Sequence, residues 1–362
     1  MTAASDARFM ALALSLGRRG MGRVWPNPAV GCVIVRDGQI IGRGWTADGG
    51  RPHAETAALA QAGSAARGAT AYVTLEPCAH HGQTPPCAEA LVAAGIARVV
   101  IATGDPDARV AGRGIAILRD AGIAVETGVL QRQAQRDHAG FFLRVTENRP
   151  FVTLKLAGTL DGRIATASGE SQWITGPEAR RAVHIMRARH DAVMVGAGTV
   201  RADDPSLTVR GMGVTRQPVR VVLSRAMKIP ATGQLAATAR DVPVWLCHGP
   251  DADVAAWTAQ GAVSLPCAVS AGQVDPHAAL AALAGQGITR VFCEGGGMLA
   301  ASLLSAGLVD ALVVFSAGIA IGAEGTPSLA AMGVDSLALA PRFTLDQVRP
   351  VGGDIMHTWV RV

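Results

Sequence analysis

Apolar positions along this chain fall into short runs, and the runs alternate between two periods. Continuous or every-second-residue apolar stretches predict strands, and three-to-four-residue spacing predicts helices. Ser5 is placed to cap a helix that reaches Leu16 and stops at Gly17. Gly31–Val35 and Gln39–Gly44 flank Asp37-Gly38, a dipeptide that favours a tight hairpin. A helix is expected from His53 to Gln61, with strands at Thr70–Leu75, Arg98–Ala102 and Ala124–Glu126. Helices are expected at Cys87–Ala94, ahead of Asp120, and at Gln131–Phe142. Asn148-Arg149-Pro150 breaks the pattern, and the alternation then restarts. Strands are expected at Phe151–Ala157, Ala192–Gly196, Val219–Leu223, Pro243–Cys247, Thr289–Glu294, Ala311–Phe315 and His357–Val362. A helix runs from Pro177 to about Ala188, and Glu294–Ala300 opens another. Strands alternating with helices predict the α/β class in two domains, 1–148 and 149–362.

Composition narrows this picture. The 362 residues are 49% hydrophobic and 17% charged, with a net charge of +5. Such a basic balance suits nucleic acid or small phosphorylated ligands. Aromatics are only 4%, with a single Tyr, so stacking platforms for bases are scarce and small phosphates are favoured. Cys32, Cys247 and Cys293 sit in apolar runs that read as buried strands, and the six Cys show no disulfide spacing. A reducing compartment follows, and the cytoplasm is the expected location. The apolar run Phe9–Leu16 is too short to span a membrane, and its Arg18-Arg19 pair lies on the wrong side for a signal peptide.

Pro52-His53-Ala54-Glu55, Glu76-Pro77-Cys78 and Pro86-Cys87 carry the first candidate chemistry. One imidazole and two thiols make a three-ligand zinc set with an open fourth position, and Glu55 supplies a carboxylate beside it. Zinc lowers the pKa of a bound water, and a carboxylate that does not ligate can move the proton. Residues two apart converge only in a loosely wound first turn, which Pro52 is placed to open. Pro77 and Pro86 suggest that both thiols sit at helix starts, where thiolate is favoured. A closed structural site with His80 or His81 as fourth ligand, or simply buried Cys, are the plainer readings. His80 and His81 read instead as pocket-lining residues.

In the second half, Gly295-x-Gly297-x-x-Ala300 follows a strand and opens a helix, as a dinucleotide fingerprint does. Alone it is weak, since such turns are often only tight turns, and no acidic residue follows at the expected distance. Ser224-Arg225 at a strand end suits a ribose 2′-phosphate, or leaves Arg225 simply solvated. Arg187 and Arg210 are candidates to clamp a phosphate, though spacing alone does not select them. Asp203-Asp204-Pro205 reads as a cap or turn more readily than as a metal site.

Together these motifs resemble, over the whole chain, the bifunctional riboflavin-biosynthesis deaminase/reductase family. The first half matches through Pro26-Asn27-Pro28-x-Val30-Gly31, His53-Ala54-Glu55, Glu76-Pro77-Cys78-x-His80 and Thr84-Pro85-Pro86-Cys87. The second matches through Lys155-x-Ala157-x-x-x-Asp161-Gly162, Ser171-x-Trp173-Ile174-Thr175-Gly176, Arg187 and Asp191–Gly196 with Thr199. Asp203-Asp204-Pro205-x-Leu207-x-x-Arg210 and Glu294-Gly295-Gly296 continue that match. The resemblance implies a cytidine-deaminase-like three-layer α/β/α domain followed by a dihydrofolate-reductase-like α/β domain. It implies zinc-dependent deamination of 2,5-diamino-6-ribosylamino-4(3H)-pyrimidinone 5′-phosphate, then NADPH-dependent reduction of the ribosyl group to ribityl. It assigns zinc to His53, Cys78 and Cys87, and the proton to Glu55. NADPH falls to Ala157, Trp173, Thr199, Asp203, Ser224 and the stretch Gly296, Gly297, Met298, Leu299, Ala300, Ala301 and Ser302. Substrate falls to Lys155, Ser171, Arg187, Leu207, Arg210 and Glu294 in the reductase, and to Asn27 and His80 in the deaminase. Thr46, Gln83 and Asp107 depart from the residues common in that family and are expected on the deaminase pocket rim.

A homo-oligomer, dimer or tetramer, is the expected assembly, with no nucleic-acid or membrane partner. Three rivals make different demands. A nucleic-acid base deaminase needs exposed aromatics and no nucleotide domain. A zinc-stabilised binding module needs a fourth protein ligand and no role for Glu55. A deaminase with a relic second half consumes no NADPH.

Overall fold

The structure, a computed structural model, describes residues 3–80, 85–108 and 110–362. It divides into two compact units, one ending at Asn148 and the other beginning at Arg149.

The first unit is a five-stranded sheet between helices. Its elements are α1 (Ala3–Gly17), β1 (Gly31–Arg36), β2 (Gln39–Trp45), α2 (Ala54–Ala62) and β3 (Thr70–Val73). They continue with α3 (Cys87–Ala93), β4 (Arg98–Ile101), α4 (Arg113–Asp120), β5 (Ala124–Thr127) and α5 (Gln131–Thr146). The strand order is β2-β1-β3-β4-β5, with β1 antiparallel to both neighbours and β3, β4 and β5 parallel. Alternation within β1 assigns the two faces. Cys32 and Ile34 join Ala54, Ala58, Ala88, Leu91 and Leu118 from α2, α3 and α4. Val33 and Val35 join Phe9, Met10, Ala13 and Leu14 of α1 and Ala134 of α5. The hairpin turn at Asp37-Gly38 has φ of 50° and 75°, the left-handed pair its sequence favours. Ser5 lies inside α1 rather than at its cap, because the helix starts two residues earlier.

The second unit is built on a nine-stranded sheet. It contains β6 (Phe151–Thr159), β7 (Arg163–Ala165), α6 (Pro177–Ala188), β8 (Ala192–Gly196), α7 (Ala197–Asp203) and β9 (Val219–Ser224). Then come α8 (Gln234–Ala237), β10 (Val244–His248), α9 (Ala255–Ala259), β11 (Val263–Pro266), β12 (Val269–Ser270) and β13 (Gln273–Val274). The chain ends with α10 (Pro276–Gly285), β14 (Arg290–Cys293), α11 (Gly297–Ser305), β15 (Ala311–Ala317), β16 (Thr326–Pro327), β17 (Phe343–Val351) and β18 (Asp354–Arg361). The order is β11-β10-β9-β8-β14-β6-β15-β18-β17. All neighbours from β11 to β15 are parallel, and β18 and β17 close the edge antiparallel. The chain leaves β8 outward to β11, then returns to insert β14 between β8 and β6. Such a reversal opens a crevice at the carboxyl ends of the strands it separates.

Candidate active sites

The first cluster forms where the loop after β3 meets the starts of α2 and α3. His53 precedes α2 in extended conformation, and Glu55 lies in its first turn. The helix therefore begins after His53, with Pro52 one residue further out than the spacing suggested. Cys87 opens α3, with Pro86 before it, as expected for a thiol at a helix start. Cys78 lies in a loop instead, which corrects that expectation for the second thiol. Its Sγ nonetheless meets the helix start, since the Cys87 N–H donates to it at 3.3 Å.

His53 Nδ1 lies 3.3 Å from Cys87 Sγ and 3.6 Å from Cys78 Sγ. The three donors all fall within 4.8 Å of one another. Tetrahedral zinc bonds of about 2.0 to 2.3 Å require N···S separations of about 3.5 Å, so the donor set fits zinc in both chemistry and spacing. No fourth protein ligand joins them among the described residues, and Asp203 and Asp204 form no metal cluster there. Three protein ligands with a water in the fourth position is the arrangement of a catalytic zinc site. Glu55 is 3% exposed. Burial, and then Cys78, raise its carboxyl to about 7. The Cys87 thiol, His53 and the Cys87 N–H pull Cys78 down, toward the thiolate that a zinc ligand must be.

Two features hold this cluster, and the sequence motifs do not announce either. Gly42 and Gly44 let α2 lie directly on β2: a Cβ at Gly44 would stand 2.1 Å from Ala54 O, and one at Gly42 2.3 Å from Ala58 O. Glu76, two residues before Cys78, is buried and accepts the backbone N–H groups of Asp105, Gly112, Gly114 and Ile115 at 3.1 to 3.4 Å. It thereby caps α4 from a neighbouring loop.

Around the cluster, Asn27 packs against Gly50, where a Cβ would stand 1.9 Å from its Nδ2. His80 is half-buried, and its Nδ1 has no protein partner among the described residues. His81 and Gln83 lie outside the described residues. Thr46 is not an open rim position: it is 2% exposed, accepts the Val30 N–H and donates to Pro28 O, both at 3.0 Å. Asp107 is likewise buried.

The second constellation stands at the crevice of the second unit. Arg187 on α6 grips Glu294, just past β14, through Nε at 2.5 Å and Nη2 at 3.0 Å, and its Nη1 donates to Thr208 O at 2.9 Å. Burial pushes Glu294 up, but Arg187 and Lys155 outweigh it and hold the carboxyl below its usual range. Burial in turn lowers Lys155, on β6, and Glu294 opposes that fall. Arg187 thus spends three of its five N–H groups on the protein itself. Arg210 is exposed, with Nη1 donating to Ser206 Oγ at 2.8 Å, and has the more open guanidinium for a phosphate.

Gly196 precedes α7 and Gly296 precedes α11, side by side at the ends of β8 and β14, and the Gly296 N–H donates to Thr199 Oγ1 at 3.3 Å. A Cβ at Gly198 would meet nothing within 4 Å, and one at Gly296 only Thr199 Oγ1 at 3.8 Å. These openings leave the room a pyrophosphate needs near backbone N–H groups. Gly296 to Ser302 is the start of α11, as the fingerprint predicts. Ala300 and Ala301 turn into the core at 0% and 5% exposure, which removes their side chains from any ligand, whereas Met298 is 74% exposed. Ala157 lies two residues before the end of β6, and Asp203 ends α7. Ser224 ends β9, and its Oγ accepts the Met227 N–H at 3.1 Å. Ser171 and Trp173 are exposed, and Arg180 stacks on the Trp173 ring at 4.5 Å. Asp204 closes α7 in left-handed conformation and caps the start of α8 through the Gln234 N–H at 2.8 Å, so the turn reading holds.

Comparison with known proteins agrees with both halves. Residues 3–103 match the cytidine and deoxycytidylate deaminase zinc-binding region, and residues 150–357 match the RibD C-terminal domain. The riboflavin biosynthesis protein RibD of Escherichia coli K12 is 42% identical over 97% of this chain and 98% of its own length. The structure of Acinetobacter baumannii RibD superposes with a TM-score of 0.90 at 39% identity, covering 100% of both chains. A Thermotoga maritima diaminohydroxyphosphoribosylaminopyrimidine deaminase/5-amino-6-(5-phosphoribosylamino)uracil reductase superposes with a TM-score of 0.87 at 35% identity over 99% of each chain. With its His-Cys-Cys cluster and its glycine-capped crevice, the chain belongs to the RibD family, the bifunctional deaminase/reductases of riboflavin biosynthesis that work with zinc and NADPH.

Proposed function

We propose that residues 1–148 deaminate 2,5-diamino-6-ribosylamino-4(3H)-pyrimidinone 5′-phosphate and that residues 149–362 reduce the ribosyl group of the product. The observation that carries this reading is the meeting of His53 Nδ1 with the Cys78 and Cys87 sulfurs, beside a buried Glu55. His53, Cys78 and Cys87 hold the metal. Bound zinc supplies the Lewis acidity that makes water nucleophilic near neutral pH. Glu55 takes the proton that water gives up and passes it to the departing amine nitrogen, which leaves as ammonia. Its burial keeps that proton from bulk solvent. Asn27 and His80 Nδ1, which has no partner among the described residues, supply polar atoms for the pyrimidine edge.

NADPH supplies a hydride for the ribosyl C1 carbon in the second half. The N–H groups from Gly296 to Met298, with Thr199, Asp203, Ala157, Trp173 and Ser224, bind and orient it. Leu299, Ala300, Ala301 and Ser302 contribute as the helix behind those N–H groups. Lys155, Glu294, Ser171 and Leu207 face the substrate. Arg210, with Arg187 behind it, draws the phosphate. A homo-oligomer, dimer or tetramer, in the cytoplasm belongs to the same proposal. The outermost strand β17 exposes Leu345 and Val348, which supports self-association.

Glu55→Gln keeps the shape and removes the proton carrier. It is expected to cut ammonia release by about a thousandfold, with bound zinc and NADPH oxidation on pre-deaminated substrate unchanged. Undiminished ammonia release would overturn the reading.

A further inference from the structure

Residues 206–210, which contain two of the proposed substrate contacts, belong to no strand, so their backbone polar groups need partners from elsewhere. Side chains provide them. Arg220 Nη1 donates to Ser206 O at 3.3 Å, and Arg187 Nη1 donates to Thr208 O at 2.9 Å. Gln217 treats Val209 as a strand partner would: Oε1 accepts the Val209 N–H at 2.7 Å and Nε2 donates to Val209 O at 3.2 Å. His184 Nδ1 accepts the Arg210 N–H at 3.2 Å, which places the ring proton on Nε2. Leu207, at the bend, has φ of 55°, a conformation a leucine adopts only when its surroundings impose it, and is 3% exposed.

Arg220 is the strongest sign that this arch is built rather than incidental. It is 0% exposed and has no carboxylate among its hydrogen-bond partners. Its guanidinium instead meets four oxygens: Ser206 O, Thr238 Oγ1 at 2.7 Å, Thr238 O at 3.0 Å and Val242 O at 2.5 Å. Burial lowers its pKa to about 10. The charge of Asp241 offsets part of that fall without a hydrogen bond. A cation held in an interior with no bonded carboxylate is costly, and an apolar side chain of similar volume would serve packing alone as well. What the apolar side chain cannot do is hold Ser206 O and the 238–242 turn together.

We propose that Gln217 and Arg220 are positioning residues of the reductase, which fix the 206–210 arch so that Leu207 and Arg210 meet the substrate without reorganisation. Neither touches substrate. This rests on the reading that Leu207 and Arg210 face it. The dinucleotide crevice at Gly196 and Gly296 uses other segments, and Gln217 precedes β9, whose far end carries Ser224, so the amide acts on substrate affinity and not on NADPH affinity.

The test uses the full chain loaded with zinc, with a retained cooperative thermal unfolding transition as the control for folding of the second unit. Gln217 is half-buried, so Gln217→Ala is the mild probe, and Arg220→Met is the stronger one. Gln217→Ala is expected to raise the reductase KM about tenfold while kcat changes less than threefold. NADPH affinity by fluorescence titration and ammonia release stay unchanged. Arg220→Met shifts KM in the same direction and further. Combining Gln217→Ala with Arg210→Ala is expected to raise KM by less than the product of the two single effects, because the amide acts in part through that arginine. An unchanged KM in Gln217→Ala, a parallel loss of NADPH affinity, or additive effects in the double variant would each overturn the positioning role. An unchanged KM in Arg210→Ala would instead overturn the reading beneath it.

Discussion

At the scale of single residues, the roles that reach furthest belong to side chains that satisfy backbone groups. Glu76 is one: its two oxygens serve four N–H groups in two segments. Glu76→Ala leaves those donors without a partner and is expected to cost about 2 to 4 kcal/mol. Because Cys78 is two residues away, zinc should also leave the variant faster when a chelator is added. Thermal unfolding and chelator-release kinetics check both effects. His190 gives a pH prediction. Its Nδ1–H donates to Met186 O at 2.7 Å, its Nε2 accepts from Thr153 Oγ1 at 2.9 Å, and burial lowers its pKa to about 3. An unfolded histidine titrates near 6.5, so between those values the unfolded chain holds the extra proton. The stability His190 provides is complete above about pH 6.5 and is lost as pH falls toward 3. Between pH 7 and 5, wild type should lose about 1 to 2 kcal/mol more than His190→Gln in urea unfolding. Residues with a local motif, such as His53, Glu55 and Cys87, were legible because their chemistry is written in adjacent letters. Gln217 and Arg220 were not, since their partners are backbone atoms that only the fold brings near.

Among elements, the placement of α2 decides whether the front half can work. Gly44→Ala forces a methyl group to within 2.1 Å of Ala54 O, and the helix must lift from β2, taking His53 and Glu55 with it. Ammonia release is expected to fall at least tenfold while NADPH oxidation on pre-deaminated substrate is kept. A loss in both activities would point to general unfolding instead. The strands with continuous apolar runs were legible from sequence, because burial on both faces leaves no ambiguity. The run Ala192–Gly196 coincides with β8, and Pro177–Ala188 with α6. Strand β17 was invisible for the opposite reason: its seven central positions are exposed, so no alternation marks it. The short helices α8 and α9 lack the length for a period to emerge. The helix start at Gly297 was legible from the fingerprint, but a helix start offers only its first turn of N–H groups, fewer than the stretch to Ser302 that the resemblance assigns.

For the whole molecule, two chemistries rest on separate machinery, and removing one should spare the other. Dialysis against a zinc chelator is expected to abolish ammonia release, leave NADPH oxidation on pre-deaminated substrate intact, and be reversed by zinc alone. Loss of both activities would contradict the assignment of one chemistry to each unit. The thiols give this division a further meaning. All six cysteines are free, five are buried, and only Cys78 is partly open to solvent. A thiol-directed electrophile therefore finds one accessible cysteine, and its sulfur is a proposed zinc ligand. Occupancy by the metal then doubles as chemical armour: damage to the emptied protein falls first on ammonia release, while the hydride-transfer half ages independently.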